Sequence, residues 1–252
     1  MVLYGAVMVI WVALVLIIII ASFILALRSM RDYHELPLHS HTEYSLFLVK
    51  NEAGLTGDLL GWINELVGRK KLVISFERLF RGSKKALVVY GPVTVLEQLS
   101  KELDLIELED YSLRSTRVFQ HNILSWEVSS KHFQKNSGTP LRVAEVTKNL
   151  SDNEELWWQL ALQPRFDKNE VQPMFKAIIR VVVISANKQK SQDIKLNLDK
   201  QIKESGLLAL PQAYSSTQIF EFYQQRSLPQ KLFTKEDGDF MISSSEVNYL
   251  LT

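Results

Sequence analysis

Residues 156–164 read LWWQLALQP, and residues 175–185 read FKAIIRVVVIS. These two runs decide the fold. The first reads as a strand that stops at a proline, which withholds a donor from any ladder. The second, rich in β-branched residues, is the strongest strand in the chain. Upstream, VFQHNILSWEVS (118–129) reads as another strand, followed by the polar loop Lys135 to Gly138. Thr139-Pro140 then opens a helix with Val143, Val146 and Leu150 on one face. Downstream, Ser191 caps a helix carrying Ile194, Leu198 and Ile202, and Gly206 ends it. A weak final strand falls within 207–214. The order is β-α-β-β-α-β, a split βαβ or ferredoxin-like plait.

The same order appears earlier in the chain. SLFLV (45–49) is a short strand. Thr56 caps a helix over 57–67, and Gly68 stops it. KLVISFE (71–77) and KALVVYG (85–91) are strands joined by the basic turn Arg81-Gly82-Ser83-Lys84. Pro92 opens a helix with Val95, Leu96, Leu99 and Leu103, and Leu105 to Leu108 closes the unit. The expected architecture is therefore α+β: one N-terminal transmembrane helix, then two tandem ferredoxin-like (βαββαβ) plaits. The expected boundaries are an anchor at 1–31, a juxtamembrane linker at 32–43, plaits at 44–117 and 118–226, and a flexible arm with a short C-terminal helix at 227–252.

The anchor rests on Val2 to Leu27, VLYGAVMVIWVALVLIIIIASFILAL, which has no charged side chain. A bilayer core of about 30 Å takes about 20 apolar residues in a helix. No basic residue precedes the run and its centre is long, which separates it from a secretory signal peptide. Arg28 and Arg31 follow it directly. The positive-inside rule then places the remainder in the cytoplasm. The expectation is a single-pass cell-membrane protein with the lipid bilayer as one partner.

Composition removes whole classes of chemistry. The 252 residues include no cysteine, so thiolate nucleophiles, thiolate zinc sites and iron–sulfur clusters are out. GxxxxGK[ST], GxGxxG, GxSxG and HExxH are all absent. Lys and Arg number 29 against 28 Asp and Glu, a net charge of +1. Nucleic acid is thus not expected to be bound directly. His34, Glu35, His39, His41 and Glu43 lie together in the linker, which lacks the rigid frame a metal site needs. His121 and His132 read as structural or surface histidines. Asp104, Glu107, Glu109 and Asp110 read as the outward charges of an edge strand. Arg69, Lys70, Lys71, Arg78, Arg81, Lys84 and Lys85 read as a solvated basic hairpin. No catalytic, cofactor-binding or metal-ligating residue is expected, and no cofactor.

Two places suggest contact with a partner. Trp157 and Trp158 face opposite sides of their strand, so one can fill the core while the other meets a helix or a partner. Ser243-x-x-Glu246 is a capping box, and Val247, Leu250 and Leu251 follow at helical spacing. That helix is too short to stand alone in water. Trp157, Trp158, Val247, Leu250 and Leu251 are the candidate partner-binding residues.

Several segments, in order, resemble the N-terminal membrane-anchored region of type IV secretion or conjugation ATPase-related proteins of small-genome bacteria. They are SLFLVKN (45–51), EDY (109–111), EELWWQLALQP (154–164) with FKAIIRVVVIS, FYQQRSLP (222–229) and MISSSEVNYLL (241–251). In that family a motor domain follows, but no position here matches its phosphate loop. The resemblance implies a non-enzymatic, membrane-anchored accessory or assembly domain that acts through protein–protein contacts. Its partner would be a motor ATPase or another secretion-complex subunit. The alternative is a membrane-tethered ligand-sensing domain.

Overall fold

The computed structural model describes residues 11–24, 43–68, 72–114, 122–129, 143, 147–165, 173–205, 207–209, 214–226, 228 and 240–251. Residues 11–24 form helix α1, a unit separate from the sheet, with Trp11, Ile17 and Phe23 exposed. In the remainder come β1 (Tyr44–Val49), α2 (Gly57–Gly68), β2 (Ile74–Arg81), β3 (Lys84–Pro92), α3 (Val93–Leu103), β4 (Leu105–Leu108) and α4 (Tyr111–Arg114). They are followed by β5 (Asn122–Ser129), β6 (Glu155–Arg165), β7 (Met174–Ser185), α5 (Lys188–Glu204), β8 (Leu208–Ala209), α6 (Ser216–Gln225), β9 (Met241–Ser243) and α7 (Ser244–Leu251).

All these strands join one antiparallel sheet in the order β4-β1-β3-β2-β6-β7-β5-β8, with β9 on β7. Successive residues of a strand point to opposite faces, so register assigns each side chain a face. One row of the first face reads Val89, Phe76, Leu160, Ile179 and Val128 across five strands. Four helices cover this face. They contribute Leu60, Ile63 and Val67 from α2, Leu96, Leu99 and Leu103 from α3, Leu198 and Ile202 from α5, and Val247, Leu250 and Leu251 from α7. Each such side chain contributes about 1.5–3 kcal/mol when fully buried. The core they form is continuous across both halves of the sheet.

Two expectations are corrected here. The chain does not form two tandem ferredoxin-like plaits with separate cores. β2 and β6 pair from Ile74↔Leu162 to Arg81↔Glu155, so one sheet and one apolar core run through. Hydrogen bonding satisfies what would otherwise be two open edges, and edge strands with unpaired groups are a liability. The N-terminal transmembrane helix, and with it the single-pass, cell-membrane placement, is also corrected. No described helix is long and apolar enough to cross a membrane.

Two further expectations change in detail. Arg78 is not part of a solvated basic hairpin. It lies buried on the main core face, with Nε and Nη2 donating to the Leu251 carbonyl at 3.0 and 2.6 Å and Nη1 paired to Glu52 at 2.6 Å. Arg69, Lys70 and Lys71 lie outside the described residues. So do most of the helix expected after Pro140, the linker histidines, His121, His132, and nearly all of the arm between α6 and β9. The β2–β3 hairpin turns at Gly82, whose φ of +52° is in the left-handed region.

Candidate functional site

The second face of the sheet departs from the pattern. Its central row places Glu77 of β2 opposite Gln159 of β6, Gln159 opposite Arg180 of β7, and Arg180 opposite Glu127 of β5. Four adjacent strands thus present four polar residues in one register row. Glu77, Gln159 and Arg180 are each 0% exposed. Buried polar side chains are the informative exception in a sheet otherwise made of Val, Ile, Leu and Trp.

Helix α6 lies over this row. Ser215 caps it through a reciprocal pair with Gln218, and Arg226 ends it in the left-handed region at φ 52°. The first turn is tied to β5. The Ser216 hydroxyl accepts from the Ser125 backbone N–H at 2.8 Å and donates to the Ile123 carbonyl at 3.4 Å. The Ser125 hydroxyl donates to the Ser216 carbonyl. The last turn is tied to the polar row. A helix leaves its final carbonyls without intrahelical partners. Arg180 Nη1 donates to the Phe222 carbonyl at 3.1 Å, Gln159 Nε2 to the Tyr223 carbonyl at 2.9 Å, and Arg226 Nη1 to the Gln224 carbonyl at 2.9 Å. The positive guanidinium groups also meet the negative end of the helix dipole. The row is therefore a socket for a helix C-terminus.

Glu77 holds the centre. Its Oε1 accepts from Arg226 Nε at 2.8 Å, Gln159 Nε2 at 3.0 Å and the Ser75 hydroxyl at 3.1 Å. Its Oε2 accepts from the Tyr111 hydroxyl at 2.5 Å and from Arg226 Nη2 at 3.4 Å. Five donors surround a carboxylate with about four lone-pair positions. The Tyr111 proton goes to Glu77, so in the 2.6 Å contact between the two hydroxyls Tyr223 is the donor. Arg226 reaches Asp110 as well, at 2.6 Å, and its guanidinium lies over the Tyr90 ring at 4.6 Å. Asp110 also accepts from the Ser112 backbone N–H at 2.9 Å and hydroxyl at 2.7 Å.

Charge and burial decide how these groups ionise. Burial pushes Tyr111 and Tyr223 up, and the Glu77 charge pushes them further, well above an ordinary phenol. Both stay protonated as donors. Burial lowers Arg226, but Glu77 and Asp110 more than offset it, and the guanidinium binds its proton more tightly than usual. For Arg180, burial prevails over the attraction of Glu127 at 3.0 Å, and its pKa falls. Burial raises Asp110, while the hydrogen bonds from Arg226 and Ser112 overcome that and hold it below the ordinary aspartate value.

The five residues expected to meet a partner are all inside. Trp157 faces the socket side, with its ring 5.6 Å from Tyr223, 6.2 Å from Phe220 and 5.0 Å from Tyr111. Trp158 faces the main core, where Val247, Leu250 and Leu251 also lie. Those four side chains are spent on this chain's own packing. Of the acidic cluster, Glu107 accepts from the Ser45 hydroxyl at 2.8 Å, whereas Asp110 turns inward to Arg226. Among the described residues no group of three or more His, Asp or Glu is placed to hold a metal ion.

Glu77, Tyr111, Gln159, Arg180, Tyr223 and Arg226 were not singled out by the sequence reading. Gln159 and Arg180 carry a signal: each is a polar residue with apolar neighbours on both sides in its strand. α6 carried another. Ser215-x-x-Gln218 is a capping box, followed by Ile219, Phe220, Phe222 and Tyr223 at helical spacing.

No protein-family model matches the chain, and no curated protein does. Among solved structures it is similar to berberine bridge enzyme from Eschscholzia californica, with 12% identity and a TM-score of 0.37. It is also similar to a variant of berberine bridge enzyme, a reticuline dehydrogenase, with 12% identity and a TM-score of 0.36. In both cases 71% of this chain and 44% of the other are covered. The chain thus spans less than half the length of those structures. Likeness at this level carries no argument about fold or chemistry.

Proposed function

We propose that this chain is a non-catalytic accessory or assembly module that acts by contact with other proteins, in a type IV secretion or conjugation-like complex. The setting comes from the sequence resemblance, with a motor ATPase as the expected partner. The observation that supports the contact reading is the closure of the Glu77 cluster. Its carboxylate is saturated by Ser75, Gln159, Arg226 and Tyr111. A general base needs a free lone pair within reach of a substrate proton. Here the lone pairs hold Arg226 at the end of α6 and Tyr111 of α4.

The test is co-expression of the full chain with a type IV secretion motor ATPase from the same cell. Co-elution as one complex in size-exclusion chromatography is the expected result. Two outcomes would overturn the reading: separate elution of the two proteins, or turnover of a substrate by the purified chain that E77Q abolishes.

A further inference from the structure

We draw no further inference here: the strongest candidate, the apolar surface of helix α1, exposed from Trp11 to Ile24, carries none because nothing in the structure shows what covers it.

Discussion

Glu77 and Arg226 are both buried, with side chains 0% and 1% exposed, so neither charge has water to fall back on. Removing one partner of such a pair leaves the other uncompensated, at about 3–5 kcal/mol. R226M is therefore expected to lower the unfolding free energy by about that amount, read by urea titration. E77L/R226M removes both charges, and Asp110 still reaches solvent. It is expected to recover most of the loss. A double variant as unstable as the two single losses summed would reject the pairing argument. Asp110 gives a pH test with a definite sign. Its carboxyl is held below the ordinary value, so the folded state binds its proton less readily than the unfolded chain does. The stability it contributes is complete above the unfolded value and is lost as pH falls through the lower folded one. D110N is expected to flatten the stability curve in that acid window and leave its neutral slope unchanged. The tyrosines test the opposite end. Tyr111 and Tyr223 are raised, so their contribution is present below the ordinary phenol value of about 10 and lost as pH climbs past it. Absorbance at alkaline pH is expected to show delayed tyrosine ionisation that coincides with unfolding, and Y111F/Y223F is expected to remove the delayed part. Of these residues only Asp110 was noticed in the sequence, as an outward edge charge. A row formed by four strands far apart in the chain has no local pattern to betray it.

At the scale of elements the sequence was more readable. β1, α2, β3, α3 and β4 follow from alternation, caps and the Pro92 start within a residue or so, whereas β2, expected at 71–77, runs from Ile74 to Arg81. Ile194, Leu198 and Ile202 mark the buried stripe of α5, but its N-cap is Asn187, and the expected cap Ser191 lies inside the helix. The C-terminal capping pair also forms, with Glu246 accepting from the Ser243 backbone N–H at 2.7 Å. The helix it opens packs on this chain's own core because Arg78 waits there for the Leu251 carbonyl. α6 was missed because QIFEFYQQ (218–225) follows a weak strand and was absorbed into the end of a domain. The hairpin between β2 and β3 supplies the test at this scale. Gly82 has φ +52°, and a Cβ there would lie 2.5 Å from Asp152 Oδ1. Asp152 in turn is where Arg81 Nε donates, to the backbone carbonyl at 3.1 Å. G82A is expected to lower stability by about 1–2 kcal/mol through strain and displacement of that turn. An unchanged melting temperature would show that the turn yields freely.

For the whole molecule, the decisive junction is β2 against β6. The twice-repeated β-α-β-β-α-β order suggests two sheets, yet the face of β2 that carries Ser75 and Glu77 is buried. Only the α6 layer explains why that face is buried. Since the main core is continuous across the junction, residues 43–251 are expected to unfold in one cooperative transition, with calorimetric and van't Hoff enthalpies equal. Two separated transitions would restore the picture of independent halves. A fragment of residues 43–114 leaves the β2 edge without β6 and is expected to self-associate in size-exclusion chromatography, as exposed long edges do.

The Glu77 to Arg226 contact spans 149 residues of chain. A ribosome adds about 5–20 residues per second, so the carboxylate emerges on the order of ten seconds before the guanidinium that neutralises it. Within that interval β6 arrives to pair the β2 edge, but the Glu77 charge stays without its guanidinium. The first half of the nascent chain therefore has to be held in a non-committed state until the second arrives. A chaperone that shields extended strands during translation would matter for this protein more than one acting after release.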